Sequence, residues 1–190
     1  MKKTDTDIIQ LQRKVALTRD RRAYQELFLY FYKPMTRMSC TIVRSKEAAE
    51  EVYSSVMLKL WDMDKTLQDI DNLSIYLFVG IRNESLNYLS KYYKMDIVDL
   101  GSIDLMRLQG EYTPEETLLQ SELNRTIHRA IRSLPVKCQL VYRLIREEGL
   151  SYKEVAEVLH LSVNTIEGHM TTALHKLSVS LRPYLYPDRS

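Results

Sequence analysis

Residues 151–177 hold two amphipathic helical runs with almost no chain between them. Ser151 with Glu154 three residues later forms a capping box, so a helix starts there. Val155, Ala156 and Leu159 recur at helical spacing, and Ala156 is small where two helices must cross closely. Leu161 fills the corner, Ser162 caps a second helix, and Ile166, Met170, Ala173, Leu174 and Leu177 are expected to face inward. A join this short fits a helix-turn-helix, which presents the start of its second helix to a groove of DNA. The surface expected on that helix is Asn164, Thr165, Glu167, Gly168, His169, Thr171, Thr172 and Lys176. These side chains are small and polar, able to enter a major groove and to donate and accept hydrogen bonds there. An ordinary packed helix pair would share the same periodicity.

The rest of the chain agrees with helix. Its 190 residues include five Gly and five Pro, too few to break helical runs often. Helical spacing is legible over residues 7–16, 21–44, 46–61 and 74–94. In the second run the inward positions are Tyr24, Leu27, Phe28, Phe31, Met35, Met38 and Ile42, and Pro34 predicts a kink or break. In the third they are Ala49, Val52, Val56 and Leu60. Residues 62–72 are polar and read as a loop, after which Asn72 or Ser74 caps the fourth run. Residues 95–116 lose periodicity, hold Gly101, Gly110 and Pro114, and carry six acids against one base. They read as an acidic, flexible linker. Beyond it, helices are expected over 115–133 and 135–147, the latter ended by Gly149, and after Leu181 a frayed tail. The expectation is an all-α chain of two small helical domains, at 1–94 and 115–182, with the linker at 95–114 and the tail at 183–190.

Net charge is +2, so bases matter by where they sit. Arg125, Arg129, Arg132, Lys137, Arg143 and Arg146 precede the helix pair and could grip phosphates. Cys40 and Cys138 have no neighbours at metal-ligand spacing and read as packed thiols of a reducing compartment. The N-terminus lacks a signal-peptide pattern and no apolar run reaches membrane length, which predicts a cytoplasmic protein. No zinc spacing links the four His, and neither a Gly-rich phosphate loop nor a nucleophile elbow occurs. No catalytic residue, cofactor, metal or small-molecule substrate is expected.

Taken in order, RRAYQELFLYFYKPM, EAAEEVYSSVMLKLWD and NLSIYLFVGIRNESLNYLSKYYK, followed by SLPVKCQLVYRLIREEGLSYKEVAEVLHLSVNTIEGHMTTALHKL, resemble an extracytoplasmic-function sigma factor of bacterial RNA polymerase. The first three stretches resemble the family's region 2 and the last its region 4. The resemblance implies that Glu51, Ser54, Ser55, Leu58, Lys59 and Trp61 dock on the coiled coil of the largest polymerase subunit. It implies that the loop 62–73 and the following helix melt and hold the minus-10 element, with Lys65, Asn72, Arg82, Asn83, Lys91 and Lys94 as contacts. Bases interleaved with Tyr76, Phe78, Tyr88, Tyr92 and Tyr93 suit single-stranded DNA, although periodicity places Tyr76, Phe78 and Tyr88 in the core. It implies that Ser162, Asn164, Thr165, Glu167, Gly168, His169, Thr171, Thr172 and Lys176, with Arg143 and Arg146, contact the minus-35 element. The linker would thread the polymerase's positively charged RNA channel. Core polymerase, promoter DNA and an anti-sigma factor, which in relatives is often membrane-anchored, are the implied partners. Two other readings predict different behaviour. A stand-alone helix-turn-helix regulator of the LuxR kind would bind duplex DNA without polymerase, and a helical adaptor would show no salt-dependent DNA affinity.

Overall fold

The computed structural model describes residues 4–93 and 122–185, and every element among them is helical. The chain divides into two compact units, one within 1–110 and one within 111–190. The stretch read as an acidic linker, the start of the helix expected from 115, and Lys94 lie outside the described residues.

The first unit contains α1 (Asp5–Thr18), α2 (Arg21–Val43), α3 (Lys46–Asp62), a short 3-10 helix (Asp64–Asp69) and α4 (Leu73–Tyr93). Side-chain caps fix the starts. Thr4 and Asp7 form a capping box on α1, Asp20 accepts from Arg22 and Ala23 at α2, Ser45 accepts from Ala48 at α3, and Asn72 accepts from Ile75 N at 3.1 Å. Arg19 and Arg44, both left-handed, close α1 and α2. α2 packs against α1, α3 and α4. Its expected inward residues Leu27, Phe31, Met35, Met38 and Ile42 are buried, with Tyr24 and Phe28 half-buried. Two phenols lock α2 to α3: Tyr24 Oη donates to Met57 O at 2.9 Å, and Tyr53 Oη donates to Phe28 O at 2.6 Å. A buried hydroxyl pair, Ser39 with Ser85 at 2.9 Å, joins α2 to α4.

Pro34 does not break α2, one of the two outcomes expected of it: the helix runs through from Arg21 to Val43. A proline inside a helix costs about 3 kcal/mol. Burial of Phe31, Met35 and Met38 around it returns about 1.5–3 kcal/mol each, so packing outweighs the break. The expected loop at 62–72 is also corrected. Leu67 is fully buried and anchors the 3-10 helix there.

The second unit contains α5 (Glu122–Arg132), α6 (Val136–Arg146), α7 (Tyr152–Leu159) and α8 (Val163–Leu185). α8 packs against the other three. Ala130, Ile131, Leu134, Cys138, Ala173 and Leu177 form a shared core for α5, α6 and α8. Gly149 takes a φ of 81° as Leu150 N returns to Leu144 O at 3.0 Å, which turns the chain after α6. Two expectations change here. Leu174 is 43% exposed, because the core line of α8 runs through Ile166, Met170, Ala173 and Leu177 and leaves Leu174 to one side. α8 also continues past Leu181 to Leu185, where a frayed tail was expected. No helix among the described residues is long and apolar enough to cross a membrane.

Candidate nucleic-acid interface

The corner between α7 and α8 is three residues long. Ser151 N donates to Glu154 Oε2 at 2.7 Å and Glu154 N to Ser151 Oγ at 3.3 Å, the expected capping box. His160 ends α7 in the left-handed conformation (φ 54°, ψ 48°), and Leu161 N bonds back to Ala156 O at 3.0 Å. Ser162 Oγ then accepts from Thr165 N at 3.1 Å and pairs with the Thr165 hydroxyl at 2.7 Å. Val155, Ala156, Val158 and Leu159 of α7 and Ile166 and Met170 of α8 are buried, which fixes the second helix against the first.

The opposite side of α8 is open. Ser162, Asn164, Thr165, Glu167, Gly168, Thr171, Thr172 and Lys176 are all exposed, and apart from its chain neighbours and the adjoining helix backbone nothing lies within 4 Å of where a Cβ on Gly168 would stand. Core and surface therefore use separate lines of one helix, so the exposed line is available to base edges. Thr172 Oγ1 donates to Gly168 O at 2.9 Å, which turns its hydroxyl back to the helix.

Two expected surface residues are placed otherwise. His169 is half-buried, its Nδ1 3.8 Å from the Cys138 sulfur. Burial, with Lys137 nearby, holds its imidazole below the ordinary range, while burial pushes the Cys138 thiol up against the opposing pull of Lys176. Arg143 is largely covered and sits 3.6 Å from Glu147 one turn on, which accounts for part of its charge. Arg146, Arg125 and Arg129 are exposed and free to face phosphates.

On the first unit, Glu51, Ser54 and Leu58 form an exposed stripe along α3, with Leu58 61% exposed. Ser55 and Lys59, expected beside them, turn to Glu84 of α4. Ser55 Oγ donates to Oε1 at 2.8 Å and Lys59 Nζ to Oε2 at 2.6 Å. Burial raises the Glu84 carboxyl, but the bonds from Lys59 and Ser55 outweigh it and hold the group below the usual carboxylate range. Trp61 is half-buried: Tyr24 meets it edge-on at 4.8 Å and the Arg19 guanidinium lies 4.1 Å from its ring centre.

Of the residues expected at the minus-10 element, Lys65 and Asn83 are exposed, and Asn72 is exposed while capping α4. Lys91 is exposed, 5.3 Å from the ring centre of Tyr92, and the rings of Tyr92 and Tyr88 meet at a tilt of 31° with centres 4.4 Å apart. Arg82 is corrected: only 8% exposed, it donates to Asn83 Oδ1 at 2.8 Å from inside the unit. Phe78 is buried as expected, but Tyr76 is 40% exposed and its hydroxyl meets Met63 Sδ at 3.3 Å. Gln12, Arg19 and Glu84 were missed by sequence reasoning. A polar Gln12 among Ile8, Leu11 and Val15 on the apolar stripe of α1 was the one signal available.

The model of the family described as Sigma-70, region 4 matches residues 124–177. The RNA polymerase sigma-H factor of Pseudomonas aeruginosa is 22% identical over 173 residues, 87% of this chain and 90% of that one. The chain belongs to the extracytoplasmic-function sigma factors. The sigma-E factor of Haemophilus influenzae is 32% identical over 73 residues, which is 38% of this sigma factor and 39% of that protein. Among solved structures, CnrH in complex with the cytosolic domain of CnrY matches with a TM-score of 0.57 at 20% identity, over 93% of this chain and 97% of that one. RpoE of Bartonella quintana, in complex with the anti-sigma factor NepR, matches with a TM-score of 0.63 at 17% identity, over 84% and 96%. The sigma factor directs transcription initiation, a non-enzymatic task. Among the described residues, no group of three or more His, Cys, Asp or Glu could hold a metal.

Proposed function

We propose that this sigma factor brings core RNA polymerase to a defined promoter class in the cytoplasm, reading minus-35 duplex with α8 and holding melted minus-10 DNA on the first unit. The division of α8 into a buried line and a small, polar, exposed line is the observation that carries the reading. Asn164, Glu167 and Thr171 face base edges, while Arg146 and the exposed arginines of α5 meet phosphates. The exposed stripe of α3, centred on Leu58, docks on the polymerase, and Lys65, Asn83, Lys91 and Tyr92 track the unpaired strand. Region 2-like, linker and region 4-like segments are assigned to 1–94, 95–114 and 115–185.

The complexes of CnrH with CnrY and of RpoE with NepR support a further step. An anti-sigma factor holds this chain inactive by covering the docking and DNA-reading surfaces.

A pull-down with core polymerase, then run-off transcription from a promoter library, tests the reading. Core binding with initiation at one promoter class is expected. Duplex binding without polymerase would make the chain a stand-alone regulator and overturn it.

A further inference from the structure

Six residues of the first unit, Asp64–Asp69, form a 3-10 helix whose polar side chains Lys65, Thr66, Gln68 and Asp69 are exposed. Short helices of this kind are poorly held by their own bonds, and their last carbonyls lack partners within the helix. Here α1 supplies them. Gln12, 3% exposed, donates both amide protons across the unit, to Leu67 O at 2.7 Å and to Ile70 O at 2.8 Å. At the other end Arg19, the residue closing α1, donates to Trp61 O and pairs with Asp64, which sits in the left-handed region at φ 50°. Between the two clamps Leu67 is fully buried. The segment is thus fastened at entry, middle and exit, with its polar side chains left outward.

Such fastening exceeds what a connection between helices needs. An aliphatic residue at position 12 would extend the stripe of Ile8, Leu11 and Val15 at no desolvation cost, whereas a buried amide is tolerated only when its hydrogen bonds are made. We propose that Gln12 is a positioning residue for promoter opening. It holds the 3-10 segment in the one conformation that receives the unpaired minus-10 strand, with Arg19 as its solvent-side counterpart. The inference rests on the proposed minus-10 role of this segment. Gln12 touches no DNA; it acts through the main chain of Leu67 and Ile70.

The test uses holoenzyme assembled from core polymerase and the full chain. Its probe is a single-stranded oligonucleotide carrying the minus-10 region of the strongest promoter from the run-off library, against a scrambled strand. Gln12→Met keeps length and burial but cannot donate. It is expected to leave core affinity unchanged, to speed amide hydrogen exchange at 64–70 relative to α2, and to reduce discrimination between matched and scrambled strands at least about fivefold, since a released segment samples many conformations. A loss of stability alone would not move that ratio. The pair Lys65→Ala with Gln68→Ala, on the segment itself, separates the two ideas. If that pair reduces discrimination and Gln12→Met does not, the positioning role is overturned while the minus-10 reading stands. If neither does, the minus-10 reading fails and the inference with it. Should Gln12→Met lose core binding through misfolding, Arg19→Met decides: reduced discrimination supports the clamp, and unchanged discrimination overturns it.

Discussion

Asn164 stands on the exposed line of α8 one residue into the helix, where an amide can both donate to and accept from a base edge. Asn164→Ala is expected to cost about 1–3 kcal/mol of discrimination at one base pair, with little change on unrelated duplex. Binding isotherms on single-substitution promoter variants measure this. Thr165 differs, because its hydroxyl is engaged by Ser162 and its removal disturbs the helix start first. His169 shows how far a residue's role depends on its neighbour. Its side chain was expected outward, yet it leans on Cys138 across 31 positions of sequence, a partner that no local pattern reveals. Burial holds its folded value below the ordinary 6.5, so the unfolded chain takes up the proton first. The second unit should therefore lose stability as pH falls from about 6.5 towards that lower value, after which the loss levels off. Thermal melts of wild type and His169→Gln between about pH 8 and pH 5 check it; equal slopes would remove His169 as the cause.

At the scale of elements, periodicity and capping located nearly every described helix. The misses share one cause: tertiary packing overrode local signals. Pro34 is overruled by the buried side chains around it, and the polar run after α3 is ordered by Leu67 and by bonds from α1. Arg82 and Leu174 exchange their expected sides because α4 is enclosed more widely, and α8 more narrowly, than one amphipathic face implies. The corner at His160 carries an element-scale prediction. A side chain in the left-handed region costs about 1–2 kcal/mol that glycine avoids. His160→Gly should raise the stability of the second unit by up to about 1 kcal/mol, less than the full strain because glycine also gains freedom when unfolded. Denaturant melts measure the gain, and promoter preference should stay as it was.

For the whole molecule, the proposed functions are divided between surfaces that do not share residues. Leu58→Ala with Trp61→Ala is expected to weaken core polymerase binding at least about tenfold, since Leu58 is exposed, Trp61 is still partly open, and a few apolar and aromatic anchors carry most of an interface's binding energy. Duplex binding by the second unit should persist and fall steeply with salt. Retained core affinity would move the docking face off α3. The exposed lines of α3 and α8 were legible because each lies on a long helix with clear phase. Gln12 and Glu84 escaped because their partners lie 55 and 25 or more positions away, beyond any spacing rule.

Trp61 is the one tryptophan of the sequence, and it lies at the end of α3 between the edge of Tyr24 and the guanidinium of Arg19. An indole beneath a cation and against a phenol sits in a local electric field, and its emission colour follows that field and the water around it. The chain thus carries an intrinsic optical probe at its proposed docking edge. Excited selectively, Trp61 reports the arrival and departure of a tryptophan-free partner at that end of the helix without any label.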